Sequence, residues 1–231
     1  AHEENISRTI VDGLISPARD TLNICVDAHD TRIDFLNHLL SGIIGDAAGR
    51  VNGKLYILGA MRNVNLKGDM VPLGHLRIKP INTVYNLTGD TIHFTHNKIG
   101  FENFRITDNH GNNGSVTGGV YHQSLKRFNC DFEINANNLL AFYYPDFGKE
   151  TFYGTAFVTG DARFSTNSTG ISLKANVTTG PGSKFVYNAS SPEGNINNEF
   201  VTFVDRKKRK SILKDIEKFQ ISEPKLNINS N

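Results

Sequence analysis

The 231-residue chain has no tryptophan, only two cysteines, and no apolar run approaching the length of a membrane-spanning helix. A spanning helix needs about 20 predominantly apolar residues in succession, so none is expected within these residues. Cys25 and Cys130 lie far apart without metal-type spacing, in Asn-Ile-Cys-Val and Phe-Asn-Cys-Asp-Phe, and read as two unpaired thiols buried as small hydrophobes. Charge of one sign is scarce as well. Residues 1–205 hold 17 Lys and Arg against 20 Asp and Glu, whereas residues 206–231 hold 8 against 3. The main body therefore lacks a nucleic-acid footprint, which wants basic residues spread over one face. Apolar content is low at 38%, and many of the 21 glycines fall inside apparent strands, where they weaken pairing unless a bend or close approach needs them. That mixture favours a curved or folded sheet over a flat, densely cored sandwich.

Catalytic signatures are missing too. There is no Gly-x-Ser-x-Gly elbow and no glycine-rich phosphate loop running into a helix. In a strand, His93 and His96 point to opposite faces. His75, His110 and His122 have no ligand-type neighbours and read as scattered surface histidines. Asp27, His29 and Asp30 lack a nucleophile. Asp146 and Glu150 would serve as a glycosidase pair only if their loop brought them face to face. The expectation is a non-enzyme with no metal and no cofactor.

What is present is alternation. Strands are expected near 6–15, 21–29, 49–59, 63–71, 74–80, 82–88, 90–96, 98–107, 114–124, 126–136, 151–164, 169–178, 184–188 and 199–205. Turn chemistry separates many of them, at 87–90, 108–114, 165–170 and 180–182. The clearest strand, Gly49 to Gly59, sets Val51, Gly53, Leu55 and Ile57 against Arg50, Asn52, Lys54 and Tyr56. A dozen short strands without intervening helices read as an antiparallel meander. One interruption, Thr31–Ile44, carries Ile33, Leu36, Leu39, Leu40, Ile43 and Ile44 at helical spacing and is expected to be an amphipathic helix covering an open sheet end, the alternative of a membrane-surface helix lacking a basic polar face. After a main body of 1–205, the tail 206–231 begins with five basic residues. It reads as a basic amphipathic helix with a disordered end. The opening Ala-His-Glu-Glu-Asn reads as a start in mid-architecture, hence a fragment.

The run from Ile33 through Gly-Arg-Val-Asn-Gly-Lys-Leu-Tyr-Ile-Leu-Gly (49–59) resembles the C-terminal region of the TamB family. The similarity continues through Leu66-Lys-Gly-Asp-Met-Val, Asp90-Thr-Ile-His-Phe, Phe101-Glu-Asn-Phe-Arg-Ile-Thr-Asp, Gly114-Ser-Val-Thr-Gly-Gly-Val-Tyr-His and Phe152-Tyr-Gly-Thr-Ala-Phe-Val-Thr-Gly. It ends in Pro181-Gly-Ser-Lys-Phe-Val-Tyr and Glu199-Phe-Val-Thr-Phe-Val-Asp. Together these cover about 25–205, in the order of a Bacteroidetes-type member. The resemblance implies a mainly β fold, a long antiparallel sheet folded lengthwise into an open hydrophobic groove (a β-taco). It also implies a periplasmic protein held in the inner membrane by an N-terminal helix outside this chain. Phospholipid acyl chains would be the cargo, and an Omp85-class outer-membrane barrel the partner, met through a region absent here.

The groove lining would then be Val51, Leu55, Ile57, Leu66, Met70, Leu76, Ile78, Ile92, Phe94, Phe132, Ile134, Phe152, Val158, Phe164, Ile171, Leu173 and Val177, with Gly53, Gly59, Gly154 and Gly160 between them. By pattern alone the same residues would serve as the core of a sandwich or filled barrel; the resemblance selects the groove. Two other readings stand beside it. Exposed sheet edges suit a chaperone-like module that binds outer-membrane β-strands, and also a strand-pairing dimer. The aromatic run Phe142, Tyr143, Tyr144 and Phe147 suits a glycan or partner patch, or the cover of a sheet edge.

Overall fold

The computed structural model describes residues 7–145, 152–167 and 170–187. Asp146, Phe147, Glu150, the strand expected at 199–205 and the basic tail lie outside them. Ala1–Gly194 packs as one unit, and the second unit, Asn195–Asn231, falls wholly outside the described residues.

The elements are β1 (Arg8–Ser16), β2 (Thr21–Arg32), α1 (Leu36–Leu39), β3 (Ile44–Ala60), β4 (Asn63–Ile78), β5 (Thr83–Thr88), β6 (Ile92–Thr95), β7 (Lys98–Asp108), β8 (Asn113–Gln123), β9 (Lys126–Tyr144), β10 (Phe152–Asn167), β11 (Gly170–Thr179) and β12 (Lys184–Tyr187). All twelve strands form one antiparallel sheet in the order β1-β2-β3-β4-β5-β7-β8-β9-β10-β11. β6 continues the place of β5 between β4 and β7, and β12 continues that of β11 beside β10. The meander follows from the turns. Two hairpins use the same device, a 3-10 turn containing proline (Pro17–Arg19, Lys79–Ile81) closed by a left-handed Asp20 or Asn82. Short Asx side chains tolerate that conformation better than other residues.

The two strands expected at 63–71 and 74–80 are one, β4, running through Pro72. Beside Pro72 the neighbouring strand is itself interrupted between Thr88 and Ile92, where a missing donor costs least. The expected helix at 31–44 shrinks to one turn. β2 extends to Arg32 and β3 starts at Ile44, and sheet pairing claims both ends of the helical pattern. Only Ile33 is buried, so the segment does not cover the sheet end as expected; Phe35, Leu39, Leu40 and Ile43 face solvent.

Register is marked on the outer face by a ladder of alternating acidic and basic side chains, Asp27–Lys54–Asp69–His93, on successive strands. Lys54 Nζ lies 2.9 Å from Asp27, which it holds below the ordinary carboxylate range, and His93 Nδ1 lies 2.6 Å from Asp69. Arg105 grips Asp90 with two nitrogens at 2.7 and 3.0 Å. Exposed pairs of this kind contribute little each. Their value lies in position, because a one-residue slip would turn every one of them inward.

The sheet folds on itself. β5 and β9 are separated by β7 and β8, yet Tyr85 Oη donates to the Leu140 carbonyl at 2.8 Å and Asn82 Nδ2 to the Tyr143 carbonyl at 2.7 Å. Burial pushes the Tyr85 phenol upward, which keeps it a donor. Inside the fold Tyr85, Phe104, Ile106, Ala136 and Leu139 form a buried cluster. Glycines permit the bend. Gly49 and Gly74 are register partners with φ of +133° and +153°, and a Cβ on either would run into the other strand's backbone. Gly74→Ala is therefore expected to cost about 1–3 kcal/mol. A midpoint in urea unchanged from that of the parent would show that the pair is not strained.

An uncharged inner face as candidate functional site

Directly opposed residues of antiparallel strands share a face. On β2, β3 and β4 the inner row runs Val26–Leu55–Gly68, with Ile24–Ile57–Leu66 beside it and Val51 against Pro72. Gly68 leads on to Phe94 and Ile99, and Met70 to Ile92 and Phe101. From Phe101 the row continues through Gly118, Phe132 and Phe164 to Leu173. Ile134, opposite Val116 and Ala162, lies one step along. Leu76 opposes Tyr85, Ile78 opposes Thr83, Val158 opposes Leu139, Val177 opposes Gly160, and Ile171 opposes Thr166. Phe152 pairs in register with Tyr187. The other sixteen expected positions thus share one face.

They are not equally covered. Leu66 is buried; most of the others, from Val51 to Phe164, are half-buried. On the edge strand β11, Ile171 and Leu173 are 67% and 58% exposed. The opposite edge strand, β1, shows Val11 and Ile15 on the same face at 64% and 56%. The centre of the sheet is therefore filled by its own cluster, while its two flanks present bare hydrocarbon.

Several inner residues escape strict alternation: Phe104, Ile106 and Leu139. Two bulges reverse the parity, at Glu102–Asn103 and Asn137–Asn138, where β7 and β9 each carry extra residues. Asn103 and Asn138 have φ of 46° and 51°, and each donates its backbone N–H to a threonine hydroxyl on the next strand, Thr117 at 3.1 Å and Thr159 at 2.8 Å. The sequence signal is the repeated pattern Phe-Glu-Asn-Phe and Ala-Asn-Asn-Leu, an apolar residue on each side of an asparagine willing to turn left-handed.

Two buried polar side chains, Asp108 and His122, stand at the two ends. At one, Asp108 is buried and accepts from Asn112 Nδ2 (3.0 Å) and from the backbone N–H groups of Leu140 (2.8 Å), Asn112 (2.9 Å) and His110 (2.8 Å). Burial pushes its carboxyl up, but those donors outweigh it and hold it below the ordinary range. At the other end stands His122, which is buried and not a surface residue as expected. Its own N–H donates to Asn97 O at 2.9 Å, and Leu125 N–H donates to its Nδ1 at 3.3 Å, which leaves the proton on Nε2. Between these rows no inner register position of the described strands carries Asp, Glu, Lys or Arg.

Burial, with His96 adding to it, pushes the His122 imidazole down. The unfolded chain then binds the proton more readily, at about pH 6.5, so stability falls as pH drops below that value. Urea unfolding of the parent is expected to weaken between pH 7 and pH 5, and His122→Gln to flatten that slope. Identical slopes would assign the titration elsewhere.

Other expected features resolve as follows. Phe142 and Tyr144 belong to β9 and turn inward, 5.1 Å apart, with Phe185 5.5 Å from Phe142; Tyr143 faces outward. The expected aromatic loop patch is thus split by strand alternation. Cys25 and Cys130 are free thiols. No group of three or more metal-ligating side chains occurs among the described residues. A hollow of about 540 Å³ opens on β8–β11, lined by Glu133, Ile134, Asp161, Ala162, Arg163 and Lys174. No helix of the described residues is long and apolar enough to cross a membrane.

Compared with known families, residues 102–231 match the TamB C-terminal domain, more than half of the chain. No curated protein and no solved structure matches it. The match carries the family and not the Bacteroidetes-type subgroup. TamB proteins are envelope modules of outer-membrane assembly and lipid transport, not enzymes. With a one-faced sheet folded over its apolar side and this match across its C-terminal half, the chain belongs to the TamB family.

Proposed function

We propose that the uncharged inner face carries phospholipid acyl chains along the fold, as a periplasmic segment of a protein anchored in the inner membrane by a helix outside this chain. The observation that supports this reading is the continuous apolar face between Asp108 and His122, bare on the β1 and β11 flanks. Each methylene moved from water to such a surface is worth about 0.8 kcal/mol, so a partly covered tail of about a dozen carbons binds without any specific polar contact. The head group stays in water at the open side. No bond is made or broken, and the activity is transfer.

Native mass spectrometry of the chain purified without detergent, with lipid extraction, tests the reading. Phospholipid at reproducible stoichiometry, lost in Leu55→Asp, is the expected result. An apo mass in both proteins would remove the support.

A second reading has its own observation. Among the described residues β1 and β11 pair on one side only, and every residue of β11 is exposed. Such edges accept an added strand through main-chain hydrogen bonds. A chaperone-like role towards outer-membrane β-strands and a strand-pairing dimer both draw on this feature, whereas contact with an Omp85-class barrel would use a region outside this chain. Binding of an outer-membrane β-peptide that phospholipid does not compete away would favour it.

A further inference from the structure

The segment Phe35–Ile43 presents four large apolar side chains to solvent: Phe35 at 52%, Leu39 at 70%, Leu40 at 40% and Ile43 at 58%. It is held in this posture from several sides. Asn37 Nδ2 donates to Ala47 O at 2.9 Å while Ala47 N–H donates to Asn37 Oδ1 at 2.7 Å. Lys79 N–H donates to Ile43 O at 2.9 Å and Lys79 Nζ to Ser41 O at 2.6 Å. Ile33 is buried beneath. The apolar tip is thus built and fixed, and it projects; it forms no cleft.

Charge says what it suits. From Phe35 to Gly45 there is no Asp, Glu, Lys or Arg. The flanking carboxylates are neutralised, Asp34 by Arg32 at 2.9 Å and Asp46 by Arg77 at 2.7 Å. Lys79 remains at the base as a cation without a carboxylate partner among the described residues. A tyrosine stands at the same base, where Tyr144 Oη donates to Lys79 O at 2.9 Å. An apolar tip above a cation and a tyrosine matches the gradient from acyl chain to head group at a bilayer surface. One helical turn is too short to lie in a protein groove, which reads about two turns.

We infer that Phe35–Ile43 is a bilayer-docking element, which inserts Phe35, Leu39, Leu40 and Ile43 into a phospholipid surface and sets this end of the fold against it. The docking does not require cargo on the inner face. The chain has no tryptophan, so Leu39→Trp, Phe128→Trp at the opposite end of the strands and Leu73→Trp on the outer face each give one reporter. Phosphatidylethanolamine–phosphatidylglycerol vesicles should shift the emission of Leu39→Trp to the blue, and brominated lipid should quench it, with the other two unchanged. Leu39→Asp combined with Ile43→Asp should lower vesicle partition about 100-fold while keeping the β circular dichroism. The double variant should keep any lipid seen in native mass spectrometry, and Leu55→Asp should still partition, which separates this inference from the cargo reading. A shift confined to Phe128→Trp, no shift in Leu39→Trp, or a shift without vesicles that tracks self-association in sedimentation would each overturn it.

Discussion

Phe104→Ala is expected to lower the free energy of unfolding by about 3–5 kcal/mol. Phe104 is 3% exposed, sits among Tyr85, Ile106, Ala136 and Leu139, and meets Phe101 edge-on at 5.5 Å. Phe101 in turn meets Phe132 at 5.7 Å, so the deletion would open a hole under three strands. The effect is large because so little else is buried. A single folded sheet with bare flanks has one small cluster to close it, and typical domains hold only about 5–15 kcal/mol in all. Equilibrium unfolding in urea measures the loss. A change below about 1 kcal/mol would mean that the sheet stays folded without this cluster, and that its curvature comes from the glycines and bulges alone.

Photo-crosslinking should show a lipid signal that alternates with residue parity. A photoreactive side chain at Leu55 or Leu173 should capture phospholipid, and one at the neighbouring Lys54 or Lys174 should not, because adjacent strand residues face opposite sides. Adding Val11→Asp to the Leu173 probe should reduce capture tenfold or more if both flanks touch the same tail. Placing a carboxylate against hydrocarbon costs several kcal/mol, and about 1.4 kcal/mol is already tenfold. Val11 and Leu173 are exposed on edge strands, so the change leaves the core intact. Equal adducts at Leu173 and Lys174 would show adsorption without a preferred face and end the groove reading.

Much of this was legible in the residues. The alternation of Val51, Leu55 and Ile57 with Arg50, Asn52 and Lys54 states which face is dry before any partner strand is known. Turn residues divide the chain into strands, and the scarcity of helical spacing leaves an antiparallel meander as the way to pair them. Family motifs in order named the architecture. Where two strands became one at Pro72, or one helix became a single turn at Leu36–Leu39, the local pattern was ambiguous and the neighbouring strand decided.

The sequence by itself determined one dry face and its glycine gaps, because strand periodicity and residue type are local properties. Only the tertiary structure decided what that face became. Asn103 and Asn138 reset the parity so that Phe104 and Leu139 turn inward, and this depends on Thr117 and Thr159 standing opposite to accept the bulged N–H groups. Likewise β5 meets β9 across two intervening strands through Tyr85 and Leu140, a contact 55 residues apart in the chain that no window of sequence contains. The buried states of Asp108 and His122, and the projection of Phe35–Ile43, follow from the same cause. They depend on where the sheet folds over, and burial is a property of the whole packed fold.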